Sequence, residues 1–143
     1  MFKLGICILY YNRPNHIYEI IDSVLETMPA FTKVVLCDDG SEEPINCKKI
    51  ITVRGENKGV TANRNRGLFS LQDCHYIAMI EDDLKPIERG WFEDYIECSR
   101  LLNNHYFVRV QDKEIIERIP NFTAYLKTKN YTPIYGPTPR GDL

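Results

Sequence analysis

The sequence predicts an α/β fold in three layers, with a mainly parallel central sheet covered by helices on both faces. Three observations predict it. Short, almost continuous apolar runs rich in β-branched residues read as strands buried on both faces. Between them lie stretches whose apolar residues recur at helical spacing. The resulting order, β-α-β-β-α-β-α, requires crossover connections and so a sheet that is largely parallel.

The elements follow in order. Residues 3–11, Lys-Leu-Gly-Ile-Cys-Ile-Leu-Tyr-Tyr, form the first strand, broken by Asn12-Arg13-Pro14. Proline is at home in the first turn of a helix. Ile17, Ile20, Ile21, Val24, Leu25 and Met28 then mark one helical face, a helix of about 14 residues, and Pro29 ends it. Lys33 to Cys37 is a second strand, closed by the turn residues Asp38-Asp39-Gly40-Ser41. Ile50 to Val53 is a third, weaker strand. Gly55 to Gly59 is a loop, and Thr61 to Leu71 a helix. His75 to Ile80 is the fourth strand, ending in Glu81-Asp82-Asp83. Trp91, Phe92, Tyr95, Ile96, Ser99 and Leu102 mark a third helix by period. Beyond Asn104 the pattern weakens. Tyr106 to Val110 reads as a strand, Lys113 to Ile119 as a short helix, and the tail from Tyr131, with three prolines, as loop or extended arm.

The chain has 143 residues, 43% apolar and 27% charged, which fits one globular domain. We divide it into a core at 1–103 and an extension of the same domain at 104–143. A formal net charge of −2 supplies no basic field for nucleic acid. The five cysteines form no CxxC pair, which suits a reduced, cytoplasmic interior better than a disulfide framework. Leu4 to Tyr11 is too short to span a membrane and lacks a cleavage site.

Polar groups cluster after each leading strand: Tyr10, Tyr11, Asn12 and Arg13; Asp38 and Asp39; Asn57, Lys58, Gly59, Arg64 and Asn65; and Glu81, Asp82 and Asp83. In a parallel sheet these ends share one edge, where ligand crevices form. Each cluster alone has a plainer reading. Asp-Asp-Gly-Ser is a common turn, Asn-Arg-Pro starts helices, and Arg64 and Arg66 on a helix usually form a solvated face. The acidic triplet is the least ordinary: packed carboxylates cost free energy unless a cation or hydrogen-bond donors compensate. Pro86 and Gly90 separate it from the next helix, so favourable first-turn charge does not account for it.

Together, Ile6 to Pro14 (Ile-Cys-Ile-Leu-Tyr-Tyr-Asn-Arg-Pro), Val34 to Ser41, Glu56 to Leu68 and Tyr76 to Asp83 resemble, in order and spacing, four sequential blocks of the family 2 glycosyltransferases, which have the GT-A nucleotide-diphospho-sugar transferase fold. The resemblance covers about residues 3–103. The Glu-Asp-Asp-Leu form of the triplet, with its following Trp-Phe helix, is also similar to the N-acetylglucosaminyltransferase I-type enzymes. What the resemblance implies is metal-dependent hexosyl transfer, with inversion, from a nucleotide-diphosphate donor (UDP-linked) to an acceptor hydroxyl. On that basis Tyr10, Tyr11, Asn12, Arg13, Asp38, Asp39, Asn57, Gly59, Arg64 and Asp82 bind the donor, with Asp39 at the base edge. The triplet stands at the family's Asp-x-Asp position: Asp83, with Glu81, holds Mn²⁺ or Mg²⁺, Glu81 being a departure from the usual aspartate. Hard oxygen ligands suit those ions, which need only one or two carboxylates besides phosphate oxygens and water.

The family's general base lies well beyond the acidic motif, in an acceptor-binding half that residues 104–143 do not match. That region is read as a truncated or reduced acceptor part. His105 comes too early to complete a metal site. Asp112 is nominated as the base, with Glu114 beside it. A non-catalytic or split nucleotide-sugar-binding domain that needs a partner chain is the alternative; an oligomer fits either reading. A nucleotidyltransferase is disfavoured because no glycine-rich phosphate loop follows the first strand, and a dinucleotide-binding oxidoreductase because no GxGxxG does.

Overall fold

The computed structural model describes residues 2–86 and 88–102, together with Val108–Arg109 and Pro133–Ile134. The expected helix at 113–119, and His105, Asp112 and Glu114, lie outside the described residues. Two compact units divide between Asp94 and Tyr95.

The first unit contains β1 (Leu4–Tyr10), α1 (Pro14–Thr27), β2 (Lys33–Asp38), β3 (Ile51–Arg54), α2 (Val60–Ser70), β4 (Tyr76–Glu81) and the start of α3 (Trp91–Leu102). The expected order is reproduced, with strand limits displaced by a residue or two. Four strands form one sheet in the order β3-β2-β1-β4, and each neighbouring pair is parallel. In the second unit β5 (Val108–Arg109) and β6 (Pro133–Ile134) form a short antiparallel pair. Val108–Arg109 falls within the strand expected at 106–110, and Pro133–Ile134 within the tail read as loop or extended arm. Among the described residues no helix is long and apolar enough to cross a membrane.

The strand order fixes the layers. β1→α1→β2 moves one way across the sheet and β3→α2→β4 the other, so right-handed crossovers put α1 and α2 on opposite faces. Strand alternation shows both faces to be apolar. Cys7, Leu9, Val35 and Cys37 are buried with Leu71, backed by Val53, Cys74, Ile77 and Met79, on the α2 side. Ile6, Ile8, Val34 and Leu36 have the opposite parity, and α1 contributes buried Ile17, Ile20, Ile21 and Val24. β1 and β2 are central strands buried on both faces, which explains their unbroken apolar runs.

α2 lies unusually close to the sheet. A Cβ on Gly67 would collide with the Cys7 sulfur and stand 3.2 Å from Cys7 Cβ and 3.5 Å from Cys37 Sγ. Cys7 and Cys37 are buried free thiols with Sγ atoms 3.5 Å apart. Burial and the neighbouring thiol push the Cys7 thiol far above its ordinary range; the hydrogen bond with Cys37 is the largest cause.

The β2–β3 connection contains no helix. Buried Ile45 anchors it, and Lys49 Nζ donates to Asp22 Oδ1 on α1 at 2.6 Å. At its start Gly40 has φ +75°, and a Cβ there would be 2.7 Å from the Asn57 backbone nitrogen. Glycine therefore meets both the left-handed turn and the close approach of the β3–α2 loop.

Candidate functional site

Parallel register alone gathers the predicted residues. Tyr10 of β1 is opposite Asp38 of β2, Asp38 is opposite Arg54 of β3, and Leu9 is opposite Glu81 of β4. The turns that follow therefore emerge side by side at the carboxyl edge of the sheet, and hydrogen bonds clasp them together. Asn12 has φ 48°, a left-handed conformation that asparagine tolerates better than most residues. Its N–H donates to Ser41 Oγ at 2.9 Å, and its Oδ1 accepts from the Glu42 N–H at 2.8 Å. The Tyr11 N–H donates to Asp82 Oδ2 at 3.1 Å. The turn after β1 is thus tied to the turns after both neighbouring strands, with the Tyr11 side chain left partly exposed.

The two aspartates at the end of β2 are inside the protein. Asp38 is fully buried: its Oδ1 accepts from the Ser41 N–H at 2.9 Å, and Oδ2 lies 3.8 Å from Arg54 Nε without a hydrogen bond. The Tyr10 hydroxyl is also buried without a partner. Burial raises the Tyr10 phenol above its ordinary pKa; nearby Ser41 pulls the other way, and the carboxylates of Asp38 and Asp82 push it up further. Asp39 accepts from the Lys58 N–H at 3.2 Å, the Gly59 N–H at 2.9 Å and Arg66 Nη1 at 3.4 Å. Gly59 is the N-cap of α2, so Asp39 is the anion at the positive end of that helix. Asn57 is exposed in the loop just before it.

The acidic triplet divides by partner. Arg13 Nη1 reaches Asp82 Oδ1 at 3.2 Å and Asp83 Oδ2 at 3.5 Å. Arg64, on the second turn of α2, donates to Glu81 Oε1 at 3.1 Å. The Asp82 side chain is 13% exposed and Asp83 57%. Asp82 is therefore held in place by Tyr11 and Arg13, while Asp83 is presented to solvent. Glu81 and Asp83, the pair expected to share a metal, meet different arginines; Asp82 and Asp83 are the acids that converge on a single cation.

Five carboxylates of this edge face arginines: Asp38 faces Arg54, Asp39 faces Arg66, Glu81 faces Arg64, and Asp82 and Asp83 face Arg13. These cations offset the like-charge cost of the triplet within the chain itself. Among the described residues no group of three His, Cys, Asp or Glu side chains converges on a metal position. The Asp82–Asp83 pair still suits a hard divalent ion that completes its shell with diphosphate oxygens and water.

Sequence reasoning passed over four residues here. Arg66, read as part of a solvated face, also donates to Asn63 Oδ1 at 2.6 Å and to the carbonyls of Asp38 and Glu56. Asn63 is buried and donates to the Cys37 carbonyl at 2.8 Å. Asn63 and Arg66 are one helical turn apart, a spacing that marks a shared face. Arg54 was lost because β3 runs one residue further than its apolar pattern; its Nη2 donates to the Ser41 carbonyl at 2.6 Å. Ser41, which the sequence presents only as turn chemistry, is fully buried.

Comparison with known proteins adds to this geometry. The model of glycosyl transferase family 2 matches residues 5–98. Glycosyltransferase GlyA of Streptococcus pneumoniae is 27% identical over 105 residues, covering 66% of this chain and 14% of that protein. An uncharacterized glycosyltransferase of Rickettsia felis is 29% identical over 127 residues, covering 81% of this chain and 20% of that protein. The chain thus spans a fifth or less of the length of these relatives.

Proposed function

The chain belongs to glycosyl transferase family 2, and from that premise we propose that it binds a nucleotide-diphosphate sugar, UDP-linked, and moves the hexosyl group to an acceptor hydroxyl with inversion. The observation that carries this reading is the convergence of four strand-end clusters on one sheet edge. That edge pairs carboxylates with arginines and leaves Asp83 facing solvent. Transfer from a nucleotide diphosphate builds negative charge on the departing diphosphate, and groups placed beforehand to meet that charge lower the barrier.

Tyr11, Asn12, Asn57 and the Asp39–Gly59 turn form the nucleotide side of this reading. Arg64 and Arg13, both exposed at this edge, would meet the diphosphate oxygens. Asp83, with Asp82 behind it, would hold Mn²⁺ or Mg²⁺, which neutralises the leaving diphosphate as a Lewis acid. Asp112 remains the proposed general base, a role typically worth about 10²–10⁴ in rate.

A thermal-shift plate of UDP, GDP and UDP-sugars, with and without Mn²⁺, tests the donor and metal together. At about 100 times its Kd a ligand stabilises by about 2.7 kcal/mol, a rise of roughly 5–10 °C for a domain of this size. Uridine nucleotides should give that rise in the presence of Mn²⁺. Asp83→Asn should lose the Mn²⁺-dependent part while melting like wild type without ligand. A plate with no nucleotide shift sinks the reading.

Arg64→Ala should barely change stability, because the Arg64–Glu81 pair is exposed and such pairs contribute about 0–1 kcal/mol. It should weaken UDP binding on the order of tenfold, the effect of one lost charge-assisted contact. Unchanged affinity by calorimetry would return Arg64 to a solvated face.

One observation favours a second reading, a donor-binding domain that needs a partner chain for transfer. Asp38, Asp39, Glu81, Asp82 and Asp83 each face an arginine, so none of these five stands free to act as general base. Donor hydrolysis separates the two readings: UDP-sugar turnover with Mn²⁺ supports the enzyme, and tight binding without turnover supports the partner-dependent domain.

A further inference from the structure

Arg13 does something unusual for a residue at a helix start. It is the N-cap residue of α1, yet its side chain makes no capping hydrogen bond. Its guanidinium instead crosses to the turn after β4, where one nitrogen serves both Asp82 and Asp83. We propose that Arg13 is the resident cation of the acidic turn, holding Asp82 and Asp83 together until a metal-bound diphosphate takes its place. The inference rests on the donor and metal reading above.

Two carboxylates side by side repel each other, and a shared cation removes most of that cost. A fixed internal pair would be buried on both sides. Here the Arg13 and Asp83 side chains are both 57% exposed, so the guanidinium can exchange this contact for water at little cost. α1 does not depend on the contact, because Pro14 supplies a preset first turn. Asp82 behaves differently: it keeps the Tyr11 N–H at 3.1 Å when Arg13 leaves. Both carboxylates then lose their shared cation, but Asp82 retains a backbone donor while the outward Asp83 retains none.

Two consequences follow. Arg13 competes with a divalent cation for the same oxygens, so the metal alone is held weakly. A diphosphate brings both further ligands for the metal and an anionic partner for the displaced guanidinium. Metal and nucleotide then bind with positive coupling, and by linkage each tightens the other by the same factor.

Manganese electron paramagnetic resonance, which reads free Mn²⁺ directly, tests this on wild type, Arg13→Gln and Arg13→Lys, each with and without UDP. Circular dichroism confirms that each variant is folded. Without UDP at low ionic strength, Arg13→Gln should bind Mn²⁺ about 5- to 10-fold more tightly than wild type, the effect of removing one competing charge near the surface. The gap should narrow in 0.15 M salt, and Arg13→Lys should stay near wild type. UDP should tighten Mn²⁺ binding more in wild type than in Arg13→Gln. Equal or weaker Mn²⁺ affinity in Arg13→Gln, with UDP-dependent binding intact, overturns the role of Arg13 and leaves the metal reading standing. If no sample binds Mn²⁺ even with UDP, the metal reading falls and this inference falls with it.

Discussion

Replacing Gly67 by alanine should destabilise the protein by about 1–2 kcal/mol. Two effects oppose each other. Alanine favours a helix interior over glycine by about 1 kcal/mol, and on an exposed helix face that gain would prevail. Here the added methyl group points at Cys7 Sγ and Cβ on a central strand. Both helix and strand must move, or the cysteine must leave its rotamer, and overpacking of this kind costs about 1–3 kcal/mol and occasionally more. The clash wins because Cys7 is fully buried and its sulfur already lies 3.5 Å from Cys37 Sγ. Urea unfolding measures the loss. Cys7→Ala in the Gly67→Ala background should recover at least about 1 kcal/mol relative to additivity, as expected for groups in contact. A Gly67→Ala variant as stable as wild type would show that α2 does not depend on this close approach.

The second large effect is expected at Asp39. Sequence reasoning assigns it to the nucleotide base, so that Asp39→Ala should weaken nucleotide binding without altering metal preference. The geometry adds a structural cost. The carboxylate accepts from two backbone N–H groups at the start of α2 and pairs with Arg66, whose side chain is only 17% exposed. Removing it leaves those donors without their acceptor and Arg66 without its counter-charge. Unsatisfied buried donors cost about 1–3 kcal/mol, and breaking a buried pair about 3–5. Residual exposure of Arg66 and the loop's access to water bring the expected loss to about 2–4 kcal/mol. Asp39→Asn, which keeps the size and one acceptor oxygen, should lose about half as much. UDP affinity is then measured by calorimetry at a temperature where each variant is fully folded. An Asp39→Ala protein that is destabilised but binds UDP normally identifies Asp39 as the anion of the α2 terminus alone and withdraws it from the nucleotide contacts.

The contrast between Arg64 and Arg66 shows how far the site was legible. Both belong to the same arginine-rich turn, and sequence reasoning favoured Arg64. Arg64 does reach the acidic triplet, through Glu81. Arg66, set aside as solvated, is the more deeply engaged of the two, because its partners come from the end of β2 and from the loop after β3. Little in the residues near Arg66 announces those partners. Asn63, one helical turn earlier, was the available sign. Arg54 was missed for a related reason: its strand runs one residue beyond the apolar run, into a position that only the pairing with β2 makes strand-like.

The acidic triplet shows the converse. Its residue types and its place after a strand marked it correctly as part of the carboxyl edge. Which acid meets which cation was not readable. Glu81 turns to Arg64 on α2, while Asp82 and Asp83 share Arg13, some 70 residues earlier in the chain. Glu81 and Asp83 alternate as if on one strand face, but the chain leaves β4 after Glu81 and enters a turn, so the two carboxylates are delivered to different neighbours.

By itself the sequence determined the α/β order, the places where strands end and the family blocks, because these depend on local periods: apolar runs for buried strands, helical spacing for their crossovers, and turn residues between them. The tertiary structure alone decided the strand order β3-β2-β1-β4, the burial of Asp38 and Asp39, and the pairing of each acid with its arginine. Such pairings act through space between residues tens of positions apart, and a shift of one residue in register would exchange every partner.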